Sequence, residues 1–271
     1  MIIVSTSRGL FDLEGGKFFH EGDGPYFGLA QDNKGKLYSI CRATNSILIF
    51  DKQLELIGKF EVNDCADAHG IEIFENNLFI LSTGNNKIIQ TDLRGNFIYT
   101  HENCIKCSSH SPHINTIKKN GDRLLVMSHR DQIDKGACLY EFNPATKDCL
   151  CISRSLGECS HSILPLHGRL WMCDSLGGTV FSVSLKESNP ELSTSPDLAK
   201  NVHIKTDGKF LLRGLAVDGD SLYLGLSEKA CEAERHQNVD GGVAVICAAT
   251  GHIKERKIIK GGGQVNEILC Y

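Results

Sequence analysis

A short apolar strand, a turn built from Gly, Asn, Asp or Lys, and a second short apolar strand recur along this chain. This repetition constrains the fold more than any other feature. One unit runs Gly28–Cys41 and then Ser46–Asp51; the next runs Gly70–Ser82 and then Lys87–Asp92. A third carries Arg123–Ser128 and Cys138–Asn143, and a fourth carries Gly168–Cys173 and Thr179–Val183. A fifth carries Gly214–Val217, Ser221–Leu226 and Gly242–Ile246. Apolar spacing at i, i+3, i+4, i+7 is scarce, so helices have little to build on. Aligned on residue type, the units put Phe27, His69, His113, His161 and Arg213 at one position, at spacings of 42, 44, 48 and 52 residues. Such spacings suit a blade of four antiparallel strands.

A sixth copy starts near Asn266 but stops at Tyr271, and its missing strands lie at the other end, in Ile2–Ser5, Gly9–Asp12 and Lys17–His20. A ring of blades closes by letting its termini share one blade, which removes the sheet edges an open array would expose. The expected fold is therefore all-β: a six-bladed β-propeller closed by N- and C-terminal strands in one blade. It forms a single domain over 1–271, with blades near 26–67, 68–111, 112–159, 160–211, 212–262, and 263–271 plus 1–25. A β-sandwich of irregular strands explains the alternation but neither the period nor the split blade.

Composition narrows the partners. Lys and Arg number 29 against 33 Asp and Glu, for a net charge of −4, so the basic face that phosphate-backbone binding needs is not expected. Apolar bursts fall far short of the roughly 18 residues that span a bilayer as a helix. The start, Met1–Arg8, lacks the basic region and apolar stretch of a secretory signal, and a cytoplasmic protein is expected. The 12 cysteines are then read as reduced thiols, most of them small hydrophobes inside apolar bursts.

In a propeller the first strand of each blade lines the central channel, so the aligned position becomes a ring at the channel mouth. Phe27, His69, His113, His161, Arg213 and Asn266 form that ring, with Glu267 one place on; Arg42, His129 and Asp174 come from second-strand ends. Three imidazoles on consecutive blades can converge on one divalent transition metal, Zn, Fe, Mn or Cu, with a position left open. The expected ligands are His69, His113 and His161. Arg213 offers a fork for an anionic group, Glu267 and His129 are the candidate proton carriers, and Asp174 would orient an imidazole. Asn115, Asn266, Phe27, Arg42 and Asp174, with Arg213, complete the expected substrate contacts. A metal-free anion pocket of His and Arg would show the same residues, and inner-strand histidines also serve structure by bonding to backbone carbonyls.

Two further features stand apart. Cys104-Ile-Lys-Cys107 with His110 lacks a second pair at zinc-finger spacing, so a structural or redox role is the alternative to chance. The Glu228–Asp240 gap reads either as a lid or as a solvated excursion. Gly261-Gly262-Gly263 opens no helix and is a poor phosphate loop.

The pairs His69-Gly70, His113-Ile114-Asn115 and Ser160-His161-Ser162, with Arg213-Gly214-Leu215-Ala216, Gly225-Leu226-Ser227 and Glu267, resemble the motifs of an uncharacterised bacterial family of propeller proteins. The resemblance covers about residues 65–271, and its last two motifs are the most specific. Gly70 stands where the family has an acidic residue, and Ser160 and Ile163 stand where it has prolines. The family implies the fold and the site but no reaction. More distantly, the architecture is similar to gluconolactonase and SMP-30 propellers, whose channel-mouth metal is held by Glu, Asn and Asp oxygens. Imidazoles in that place point away from calcium and toward a softer metal.

The functional expectation is a metal-dependent enzyme acting on a small anionic molecule, a hydrolase or lyase in preference to an oxygenase. Its alternative is a non-catalytic propeller that binds a small anionic ligand or a protein partner on the same face.

Overall fold

In a computed structural model, residues 1–102, 113–129, 136–184, 201–206, 208–229 and 239–271 are described. Cys104, Cys107, His110 and residues 230–238 of the long gap lie outside them. The described residues form 24 strands in six four-stranded antiparallel sheets, and the chain is a six-bladed β-propeller.

The first sheet holds β4 (Tyr26–Gln31), β5 (Leu37–Cys41), β6 (Ser46–Phe50) and β7 (Leu56–Glu61). The second holds β8 (Ala68–Phe74), β9 (Asn77–Ser82), β10 (Lys87–Asp92) and β11 (Phe97–His101). The third holds β12 (Ile114–Asn120), β13 (Arg123–Ser128), β14 (Cys138–Phe142) and β15 (Cys149–Ser153). The fourth holds β16 (Ser160–Leu166), β17 (Arg169–Asp174), β18 (Thr179–Ser184) and β19 (Asn201–Lys205). The fifth holds β20 (Phe210–Asp218), β21 (Ser221–Glu228), β22 (Gly241–Cys247) and β23 (Ile253–Ile259). The sixth joins the termini: β24 (Val265–Cys270) pairs with β1 (Ile2–Thr6), followed by β2 (Gly9–Asp12) and β3 (Lys17–Glu21).

Short hairpins follow from turn chemistry. Asp51 Oδ1 accepts the Gln53 and Glu55 amides at 2.9 and 3.0 Å, and Asp92 Oδ1 accepts those of Arg94 and Asn96 at 2.8 and 2.9 Å. Inner strands are apolar in runs rather than in alternation because both sheet faces are buried. On β13, Leu124 and Val126 join Phe79, Ile117 and Phe142 in one cluster, while Leu125 and Met127 join Ile163, Leu170 and Phe181 in another. The two-residue period thus sends neighbours to opposite cores. Each such side chain contributes about 1.5–3 kcal/mol of burial.

The chain divides into two compact units, one of Met1–Asp64 with Thr206–Tyr271, the other of Cys65–Lys205. The second unit holds the second, third and fourth sheets; the first unit holds the rest. Among the described residues no helix is long and apolar enough to cross a membrane. The nine described cysteines are reduced, with no disulfide among the described residues.

Candidate functional site

Ladder register defines which residues are equivalent. In successive sheets the inner strand pairs with the second strand at Tyr26↔Cys41, Ala68↔Ser82, Ile114↔Ser128, Ser160↔Asp174, Leu212↔Leu226 and Val265↔Thr6. A bulge lies at or just beyond each of these pairs. The residues that follow are Phe27, His69, Asn115, His161, Arg213 and Asn266. The third position is therefore Asn115, not His113 as alignment on residue type would have it. His113 stands two residues earlier, level with Asp67 and Cys159. These three share a left-handed backbone, with φ of 49°, 58° and 59° respectively. The carbonyls of Asp67 and His113 accept the same bond, from the amides of Thr83 and His129 at 3.2 and 3.3 Å. Matching histidine to histidine displaces the third unit by two residues.

Four imidazoles of the Cys65–Lys205 unit form a row. Ring centroids are 5.2 Å apart from His69 to His113, 4.1 Å from His113 to His129, and 5.0 Å from His129 to His161. His69, His129 and His161 are buried and His113 is half-buried.

Backbone carbonyls fix two of the rings. His161 Nδ1 lies 2.8 Å from the Cys159 carbonyl and 2.8 Å from Ser175 Oγ. A carbonyl only accepts, so Nδ1 carries the proton and Nε2 the lone pair. His69 repeats the device on the Asp67 carbonyl at 3.1 Å, with Asp67 Oδ1 at 3.8 Å. In both, the left-handed residue two places earlier turns its carbonyl onto the ring. His129 differs, because its Nδ1 lies 2.5 Å from Asn115 Nδ2 and must accept.

Among the described residues, one group could hold a metal ion: donor atoms of His129, Cys159 and His161 lie within 4.8 Å of one another. Of the expected trio only His161 belongs to it; His113, 4.1 Å from His129 by ring centroids, and His69 lie further along the row. Cys159 lies in no motif that would single it out from the sequence. The available signal was its repeat position, where Asp67 and His113 also offer ligand atoms.

Asp174 takes part in the turn that precedes Cys159: its Oδ1 accepts the amides of Glu158 and Gly177 at 3.1 and 2.9 Å. Ser175, the residue level with His129, bonds the His161 ring.

The remaining expected residues belong to the other unit. Arg213 and Asn266 are buried there, and Asn266 Nδ2 donates to the Tyr26 carbonyl at 2.8 Å. The Arg42 guanidinium lies 5.4 Å from the centroid of the buried Phe27 ring. Glu267 Oε1 accepts the Ile268 amide at 3.2 Å.

Solved structures with similar folds cover nearly the whole chain. A chain of the nidogen/laminin complex matches with a TM-score of 0.71 at 11% identity, over 98% of this chain and 96% of that one. A protein of unknown function from Bacteroides caccae matches with a TM-score of 0.69 at 14% identity, over 98% and 97%. A putative gluconolactonase matches with a TM-score of 0.62 at 12% identity, over 89% and 80%. The likeness is one of fold. No family model matches the chain, and no curated protein matches it.

Proposed function

We propose that this protein is a metal-dependent enzyme whose divalent transition metal is held by His129, Cys159 and His161, and which cleaves a small molecule by hydrolysis or elimination. The observation that carries this reading is the convergence of the three donor atoms within 4.8 Å, with the His161 ring already fixed through Nδ1. An imidazole–thiol donor set fits zinc or another borderline-soft ion and does not fit calcium, which takes oxygen ligands. When bound, such a metal polarises a carbonyl or lowers the pKa of water. His161 offers Nε2 with the ring held against rotation, and the neighbouring His113 is placed to carry a proton. The preference for cleavage draws on the fold shared with a putative gluconolactonase, which is analogy.

Elemental analysis of the purified protein beside His161→Ala and Cys159→Ser tests the reading. Near-stoichiometric zinc or a similar metal in the parent, lost in both variants, is expected. Metal retained undiminished in both, or none bound after reconstitution, overturns it. A binding module is then the reading to take up, as the same fold occurs in the nidogen/laminin complex.

A further inference from the structure

Asn115 is only 5% exposed, and both hydrogens of its amide nitrogen are committed: one to the Ser160 carbonyl at 2.9 Å, one to His129 Nδ1 at 2.5 Å. Its Oδ1 is buried and has no hydrogen-bond partner among the described residues. The bond to Ser160 belongs to the fold, since Asn266 at the equivalent position makes the same bond to the Tyr26 carbonyl at 2.8 Å. The bond to His129 is what distinguishes Asn115.

An amide nitrogen cannot accept a hydrogen bond, so His129 Nδ1 is the acceptor and the neutral ring carries its proton on Nε2. His161, 5.0 Å away by ring centroids, is held in the opposite tautomer, with its proton on Nδ1. The two adjacent imidazoles therefore present one donor and one acceptor through Nε2. An Nε2 that carries a proton cannot also ligate a metal, whereas a ligating imidazole donates its other N–H to a neighbouring acceptor. Asn115 Oδ1 is an acceptor at hand for that N–H.

We infer that Asn115 is a positioning residue that decides which nitrogen of His129 carries the proton, and that its side-chain amide turns over when a metal binds. This rests on the metal reading of the site given above. Proton balance is simple. His129 gives up the proton on Nε2 to water and takes one from water on Nδ1, so the ring stays neutral. The Cys159 thiol loses its proton to become the thiolate, and one proton is released per metal. The amide turn breaks both Nδ2 bonds, to the Ser160 carbonyl and to His129 Nδ1, and makes one from His129 Nδ1–H to Asn115 Oδ1, the metal–ligand bonds making up the difference.

The test is a long-range proton–nitrogen correlation spectrum of histidine-labelled protein, with and without one equivalent of zinc, on the parent chain and on Asn115→Asp and Asn115→Leu. In the metal-free parent His129 is expected as the Nε2–H tautomer, moving to Nδ1–H with zinc. Asn115→Asp, whose carboxylate only accepts, is expected to show Nδ1–H without metal. By competition with a chromophoric chelator it should also bind zinc about tenfold more tightly. Asn115→Leu, which neither donates nor accepts, is expected to leave His129 as a mixture. An Nδ1–H His129 in the metal-free parent overturns the inference, as does an Asn115→Asp spectrum unchanged from the parent. If zinc binds neither protein while Asn115→Asp still moves the proton, the metal reading and the amide turn fall together and the positioning role stands.

Discussion

His161 and Ser175 are joined at 2.8 Å, Nδ1 to Oγ, which gives the ring a second acceptor beside the Cys159 carbonyl. Bonds of this kind fix the orientation and basicity of a ligating imidazole. Ser175→Ala removes one of two acceptors and leaves the ring its carbonyl. Metal affinity is expected to fall about tenfold, with the fold intact, as read by chelator competition. An unchanged affinity would show that the carbonyl alone suffices.

His101 gives the Cys65–Lys205 unit a pH-dependent stability. It is 2% exposed, packs against Phe79 and Phe142, and lies 3.2 Å from Gln90 Oε1 through Nε2. Burial first, and the Lys147 charge second, lower its pKa from 6.5 to about 4. Above pH 6.5 neither folded nor unfolded chain holds the proton. As pH falls through that value the unfolded chain binds it first, so stability declines until about pH 4, where the folded protein protonates too. The loss is about 3 kcal/mol across that window, and urea unfolding at stepped pH measures it. His20 and His203, also lowered chiefly by burial, act in the same direction. His101→Phe should flatten most of the slope; a slope equal to the parent's would exclude His101 as its source.

Cys151 should be the more reactive of two half-buried thiols on one strand. A hydrogen bond from Cys138 leads the causes that hold its pKa down to about 7, with Arg154 adding to it against burial. At pH 7 a thiol with that pKa is substantially thiolate, the nucleophilic form. Limiting iodoacetamide followed by peptide mass spectrometry is expected to label Cys151 before Cys149. Cys138→Ala should slow that labelling several-fold. Equal labelling of the two thiols would count against the assignment.

Close backbone approach makes Gly225 irreplaceable. A Cβ there would overlap the Arg213 carbonyl oxygen and press on Val265 Cγ1 at 2.6 Å. Gly225→Ala is expected to cost about 3 kcal/mol, at the upper end of overpacking effects. Gly242→Ala, where the nearest atom is the Lys257 carbonyl oxygen at 3.1 Å, should cost less than half as much. Denaturant midpoints of the two variants compare them directly, and equal midpoints would contradict the steric argument.

The repeat, the hairpins and the blade shared by the termini were legible in the chain because each depends on local chemistry. Asp51 and Asp92 cap their turns through the next few amides, and apolar runs such as Leu124–Met127 mark strands buried on both faces. Legible too were three histidines on consecutive units, which the structure brings into one row with His129.

Which atoms meet was not. Asn115 rather than His113 holds the position of His69 and His161, because it is the residue that follows the Ile114↔Ser128 pair as His69 follows Ala68↔Ser82 and His161 follows Ser160↔Asp174. Cys159 joins His161 because a left-handed residue turns the chain there. Ser175 reaches the His161 ring from just beyond the end of β17. Sequence by itself determined the strands, their order and their closure. Donor geometry was decided only by tertiary structure, since a displacement of one residue moves a side chain to the other face and changes what it can touch.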